Sequence, residues 1–280
     1  MNNAVQFLDG GLSTALERLG FRTDHELWTA AALVHAPELV VAAHGAFLEA
    51  GAEVILTASY QAGITNVGRV VGDEARARQM LVSSVALARQ AIELAHRTDA
   101  RVASSLGAYG ALLADRSEYH GRYPVPWSEV AKQQRARAET LLDTGVDLMV
   151  CETLPTVSEA AVTLDVLDEL IPRYPAVEVW VTFTAVGDGW TAGGEALGEV
   201  STLLVDRPWV TAVGVNCTAP HHVGAALAAL GATPVALIAK PNHLPEVQEL
   251  RRWIDAGVRH LGGCCGVGPQ ELAEAIASLR

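Results

Sequence analysis

Leu261-Gly262-Gly263-Cys264-Cys265-Gly266 closes the last of a series of apolar runs, with only a short helical tail after it. On an extended strand consecutive side chains point to opposite faces, so adjacent cysteines share a site only where the backbone leaves β geometry. Gly262, Gly263 and Gly266 permit that departure. Upstream, Val213-Gly214-Val215-Asn216-Cys217-Thr218 is another apolar run that ends in polar residues. Its Cys217 makes a third soft ligand, and three thiols from two strand ends suggest zinc.

Outward from these stretches, short β-branched runs alternate with longer amphipathic ones. Strands are predicted over 5–9, 53–59, 101–107, 147–152, 178–185, 212–217, 234–240 and 259–264. Helices are predicted over 37–50, 73–96, 128–144, 156–170, 196–205, 220–230, 245–256 and 269–279. Several open on Pro, Ser, Thr or Asp, and others stop at Gly51, Gly145, Gly231 and Gly257. Eight βα units without a composition break favour an α/β fold of the (β/α)8 barrel type, one domain over 1–280. Asp9-Gly10-Gly11-Leu12 does not supply the Gly-x-Gly-x-x-Gly turn of a Rossmann sheet.

A barrel collects its chemistry at the C-terminal ends of its strands. Those ends carry Asp9, Thr57 to Gln61, Gly107 to Gly110, Cys151-Glu152-Thr153, Asn216-Cys217, Lys240 to Asn242 and Cys264-Cys265. Strands six and eight flank strand seven, so Cys217 and the cysteine pair can meet across 47 positions (264 minus 217).

Composition narrows the class. With 280 residues, 50% hydrophobic and 19% charged, the chain can bury a large core. A net charge of -12 and no Lys/Arg tract argue against nucleic acid as the main partner. Met1 to Phe7 lacks a basic n-region and a sustained apolar segment, and no later run is apolar for long enough to cross a bilayer. No membrane role and a cytoplasmic location are expected. Four cysteines clustered in the C-terminal half do not resemble a disulfide framework, which leaves metal or thiol chemistry.

Matching pieces then span nearly the whole chain: Leu8-Asp9-Gly10-Gly11 with Ala15-Leu16-Glu17, Leu27-Trp28-Thr29-Ala30, Ala50-Gly51-Ala52, Thr57-Ala58-Ser59-Tyr60-Gln61-Ala62, Gly107-Ala108-Tyr109-Gly110-Ala111, Cys151-Glu152-Thr153-Leu154-Pro155, Gly214-Val215-Asn216-Cys217 and Gly262-Gly263-Cys264-Cys265-Gly266. In these the chain resembles the zinc-dependent homocysteine S-methyltransferases, a family that includes S-methylmethionine- and betaine-dependent enzymes. Trp28, Tyr60 and Ala114-Asp115-Arg116-Ser117-Glu118-Tyr119 lean toward the branch that uses S-methylmethionine or S-adenosylmethionine.

The resemblance implies an enzyme that transfers methyl from a sulfonium donor to homocysteine thiolate and yields methionine. It implies Zn2+ on Cys217, Cys264 and Cys265, with homocysteine sulfur as fourth ligand. Asp9, Gly10, Gly11 and Glu152 would hold the amino-acid end of homocysteine, Asn216 is counted with them, and Trp28 and Tyr60 would face the donor. Tyr109 and Tyr119 are further donor-side candidates. A homo-oligomer is allowed. Betaine-like, folate or corrinoid methyl donors on the same fold, or a non-catalytic zinc and thiol-binding protein, are the alternatives.

Four residues read differently. Cys151 adjoins Glu152 on a strand and should face away from the site. His221 and His222 open a helix, and a fourth fixed ligand would close the position homocysteine needs. Lys240 stands where the family more often has an apolar or aromatic residue, and 245–257 leaves room for little more than one helix. Lys240 can pair with a substrate carboxylate or with Glu152.

Overall fold

Residues of one parity in each β-branched run pack inside a closed ring of strands and those of the other parity pack under helices, which is why these runs are apolar throughout. The computed structural model describes residues 4–22, 27–187 and 189–280; Met1 to Asn3, on which part of the N-terminal reading falls, lie outside them. The barrel strands are β1 (Gln6–Phe7), β2 (Val54–Leu56), β3 (Arg101–Gly107), β4 (Leu148–Leu154), β5 (Glu178–Phe183), β6 (Val210–Thr218), β7 (Ala236–Pro241) and β8 (Val258–Leu261). Their order is β1-β8-β7-β6-β5-β4-β3-β2, and every pairing is parallel. A parallel bridge from Leu8 to Val54 joins the two ends. The Asp9 N–H donates to the Val54 carbonyl at 2.9 Å and the Glu53 N–H to that of Phe7 at 2.7 Å, so the ring closes as the expected (β/α)8 barrel.

Eight helices cover it: α1 (Pro37–Glu49), α2 (Glu74–Leu94), α3 (Trp127–Leu142), α4 (Val157–Leu170), α5 (Val200–Leu204), α6 (Pro220–Leu230), α7 (Val247–Asp255) and α8 (Pro269–Leu279). Asp73 caps α2 by accepting the Ala75 N–H at 2.9 Å, and Thr156 caps α4 through the Glu159 N–H at 3.0 Å. The four glycines expected to stop helices all have positive φ. Helix α5 is shorter than its sequence suggested, because 197–199 form a 3-10 turn ahead of it.

Leu8, Val54, Leu56, Ala103, Leu148, Val150, Trp180, Ala212 and Ile238 form the inner core. Trp180 fills its base against the His260 ring, centroids 4.1 Å apart; truncating so large a buried ring costs about 3–5 kcal/mol. Cys151 lies in the outer core beneath the helices. Apart from a 3-10 turn at Ile171–Arg173 that follows α4, the remaining described elements lie between a strand end and the barrel helix that follows. They are helices at Leu12–Arg18, Ala32–His35 and Ile64–Val71, 3-10 turns at Trp28–Ala31, Tyr109–Leu112 and Ser117–Tyr119, and a hairpin of Ala185–Val186 with Trp190–Thr191. Local periodicity did not announce them, because they are held by contacts at the barrel mouth. Among the described residues no single helix is long and apolar enough to cross a membrane.

Candidate functional site

Strand alternation would send Asn216 and Cys217 to opposite faces. Cys217 instead adopts φ +50°, a left-handed conformation that a non-glycine residue takes only at some cost. That turn brings its Sγ to the mouth. Thr153, after Glu152 on β4, does the same with φ +61°.

The glycines beside the cysteine pair act in two ways. Gly266 is left-handed, at φ +84°. Gly262 and Gly263 are needed for room: a Cβ on Gly262 would lie 2.6 Å from the Asp9 carbonyl oxygen, and one on Gly263 2.3 Å from Val267 Cβ. The Cys264 N–H donates to the Pro241 carbonyl at 2.8 Å and the Val267 N–H to that of Cys264 at 3.0 Å, a turn that presents both thiols to the mouth.

Cys217 Sγ is 3.0 Å from Cys264 Sγ and 3.6 Å from Cys265 Sγ, and all three sulfurs lie within 4.8 Å of one another. Three thiolates around a tetrahedral zinc with bonds of ~2.3 Å stand about 3.8 Å apart, so a small opening of the tighter pair accommodates the ion. Hydrogen bonds from Cys217 and Cys264 hold the Cys265 thiol well below its ordinary range. No His, Asp or Glu among the described residues completes the cluster. The His221 and His222 rings lie tilted against each other, centroids 4.0 Å apart, at the start of α6.

A cavity of about 350 Å³ opens over the thiols, with Asp9, Gly10, Gly11, Glu152 and Lys240 in its wall beside all three cysteines. This volume suits small-molecule ligands. Lys240 Nζ lies 3.7 Å from Asp9 Oδ1 and 3.6 Å from Glu152 Oε2, all three side chains being buried. Of the two roles open to Lys240, the geometry supplies the internal pairing, shared between two acids. Burial raises the Asp9 carboxyl to about 7, against the opposing pull of Lys240 and the Leu56 N–H. Glu152 is also raised by burial, although Lys240 and the Ser105 hydroxyl favour its charge. For Lys240 burial pulls the ammonium down, but the two acids outweigh it and the net shift is upward.

Two expected contacts look different in three dimensions. Asn216 is fully buried behind the wall. Its Oδ1 accepts the Thr153 N–H at 2.8 Å, and its Nδ2 donates to Thr153 Oγ1 at 2.7 Å and points to Cys264 Sγ at 3.9 Å, so it braces the ends of β4 and β6. The Gly11 N–H is already engaged by the Val267 carbonyl at 2.8 Å. Gly10 and Gly11 admit the cysteine loop: a Cβ at either would lie 2.2 Å from the Val267 carbonyl oxygen or 2.7 Å from that of Cys264.

The opposite wall carries Trp28, Tyr60, Gln61, Arg116, Glu118 and Tyr119. Tyr119 Oη is 3.8 Å from Cys217 Sγ. Gly107 lets the Tyr60 ring approach, since a Cβ there would sit 2.4 Å from Tyr60 Cδ2. Tyr109 is outside the cavity and packs edge-on against Tyr123, centroids 5.1 Å apart. Cys151 is buried away from the site, and burial pushes its thiol up to about 12.

Sequence reasoning missed what holds this wall. Arg137 of α3 is fully buried and donates to the carbonyls of Ser59, Tyr60, Ala62 and Gly107 and to Gln134 Oε1, at 2.8–3.3 Å. It ties the loop that carries Tyr60 to the end of β3. The available signal was its helical spacing from Val130, Gln134 and Leu141, all buried.

A closed (β/α)8 barrel whose mouth joins three thiols to an acidic, aromatic-lined cavity defines a class: barrel proteins with a thiol-rich metal centre open to a small-molecule substrate. The model of the homocysteine S-methyltransferase family matches residues 6–279, and the chain belongs to that family of methyltransferase enzymes. It is 38% identical to a homocysteine S-methyltransferase of Escherichia coli (strain K12), the match covering 96% of this chain and 93% of that one. It is 31% identical to homocysteine S-methyltransferase YbgG of Bacillus subtilis (strain 168), over 98% and 94%. The crystal structure of the homocysteine methyltransferase MmuM from Escherichia coli, in a metallated form, superposes with a TM-score of 0.89 at 39% identity, covering 98% of this chain and 96% of that one.

Proposed function

We propose that this chain moves a methyl group from S-methylmethionine, or S-adenosylmethionine, to the thiol of homocysteine, with zinc as its metal. The observation that carries this reading is the convergence of three thiols, without a fourth His, Asp or Glu among the described residues, on a cavity walled by acids and aromatics. Cys217, Cys264 and Cys265 would hold the ion, which when bound lowers the pKa of a thiol in the open position. The protein's other residues bind and orient.

Asp9 and Glu152 face the homocysteine ammonium. Lys240 lies against both acids and offsets part of their charge, leaving the wall acidic for a cation. Asn216 braces the strand ends that carry Glu152 and Cys217. Trp28, Tyr60 and Tyr119 offer ring faces to a sulfonium, which attract the charge without attacking it. The homocysteine sulfur donates a lone pair to the methyl carbon as the bond from that carbon to the sulfonium breaks, and the bonding electrons stay on the departing thioether. Methionine forms, no bond to the protein is made, and the rate gain comes from holding the two sulfurs in line. One domain over 1–280, and a reducing, cytoplasmic setting that suits four free cysteines, complete the proposal.

Metal analysis and a donor panel test it. About one zinc per chain is expected from one three-thiol site, with methionine formed from homocysteine and S-methylmethionine. Stoichiometric zinc with no methionine from S-methylmethionine, S-adenosylmethionine or betaine would overturn it.

A further inference from the structure

The donor-side wall contains a charged group that the proposed chemistry leaves unused. Glu118 lines the cavity and is only 7% exposed, and its Oε2 is buried with no hydrogen-bond partner. A buried carboxylate oxygen left unsatisfied is costly, and such groups are explained where a ligand completes them. The fold goes to some length to place it: Gly110 is packed so tightly beneath the turn that a Cβ there would stand 2.2 Å from the Glu118 nitrogen. Two residues earlier, Arg116 lines the same cavity with its backbone at φ +67°. One residue later, Tyr119 reaches toward Cys217. One short turn, Ser117–Tyr119, and the residue before it therefore bring a cation, an anion and an aromatic ring, in that order, to the cavity.

We infer that Glu118 and Arg116 form a reader for the α-amino-acid end of the methyl donor, Glu118 taking the α-ammonium and Arg116 the carboxylate. The inference rests on the donor half of the proposed function and narrows it to sulfonium compounds that carry a free amino acid. Asp9, Glu152 and Lys240 serve the acceptor on the other wall, so the cavity holds two separate sites for zwitterions. Arg116 also favours the charged form of Glu118 through space, while burial, the larger influence, opposes it. An incoming ammonium supplies the missing partner. A sulfonium with a carboxylate but no α-ammonium, such as dimethylsulfoniopropionate, leaves Glu118 unsatisfied and should be rejected on that account.

Calorimetric binding to the zinc-loaded full chain tests this without requiring turnover. For the wild type, S-methylmethionine should bind about 30-fold more tightly than dimethylsulfoniopropionate, the effect of one charge-assisted hydrogen bond in a dry site. Glu118→Gln should erase that gap by weakening S-methylmethionine alone. Arg116→Ala should weaken both donors about 3–10-fold, because both carry a carboxylate and Arg116 is exposed. N-acetylated S-methylmethionine on the wild-type protein gives the same reading without a substitution, and should lose binding as Glu118→Gln does.

Equal affinity of the wild type for the two donors, full affinity for the N-acetylated donor, or an equal loss for both donors in Glu118→Gln with zinc content and Tm unchanged, would overturn the inference. Binding of S-methylmethionine that depends on Glu118, in a protein that makes no methionine, would support the reader and place the failure in the transfer reaction.

Discussion

The two walls of the cavity are built by different means. The acceptor wall is made from the ends of β4, β6 and β7 and the turns just beyond β1 and β8, so its thiols, acids and lysine are placed by the barrel frame. The donor wall is made from short turns after β1, β2 and β3, and those after β2 and β3 are tied to the frame by a buried guanidinium. Groups fixed by a closed ring of strands suit a site that must hold a metal and one small thiol in one geometry. Groups on loops are the part of a barrel that varies with the ligand.

The largest effect should come from breaking the metal half of the acceptor wall. Cys217→Ser or Cys264→Ser should take bound zinc from about one per chain to a small fraction and reduce turnover by at least about a thousandfold, since two thiolates are a poor zinc site. Metal analysis beside a methionine assay checks both. Retained zinc with full activity would remove the distinction between the walls.

Next comes Lys240→Met, which leaves Asp9 and Glu152 buried without their cation. Losing one member of such a network costs about 3–5 kcal/mol, read as a fall in denaturant midpoint with an unchanged slope. Adding Asp9→Asn should recover part of the loss. If the lysine served substrate alone, stability would not move.

Arg137→Gln tests the other wall. It removes a clamp on four carbonyls and should cost about 2–4 kcal/mol through unsatisfied buried groups. In kinetics it should raise the KM for the donor several-fold before that for homocysteine, with Arg137→Lys intermediate. Equal changes in both KM values would mean that Arg137 supports the barrel as a whole.

The smallest effect is a pH dependence behind the donor wall. Glu159 accepts the Tyr109 N–H at 2.6 Å and the Tyr123 hydroxyl, and burial raises its carboxyl from 4.5 to about 7. Between those values the folded chain keeps a proton that the unfolded chain has released, so this group's contribution falls as pH rises from about 4.5 to about 7. Glu159→Gln should flatten that part of the Tm-pH curve and be more stable than wild type near pH 8, by an amount on the order of 1–3 kcal/mol. An unchanged slope would assign the dependence to another group.

How far each wall could be read from sequence follows from how it is built. β3, α6 and α8 fall on the residues expected, because proline starts and glycine or polar stops mark the helices and the strand is flanked by turn residues. The three cysteines meet, as their places at the ends of strands six and eight allowed. What stayed hidden depends on distant contacts or on backbone states that no residue type announces. Nothing in a cysteine signals φ +50°, yet this is what lets Asn216 brace from behind while Cys217 faces the cavity. A single arginine in an amphipathic helix reads as a solvated charge, and only the fold shows Arg137 buried among carbonyls. Glu118 was visible within a motif, but its unsatisfied oxygen exists only in three dimensions.

Zinc-edge X-ray absorption on the loaded protein, with and without homocysteine, tests the central claim most directly. Three sulfur neighbours at about 2.3 Å with one lighter atom should become four sulfurs when homocysteine is added. A first shell that homocysteine leaves unchanged, or one already closed by four protein ligands, would contradict an open three-thiol site that receives the acceptor.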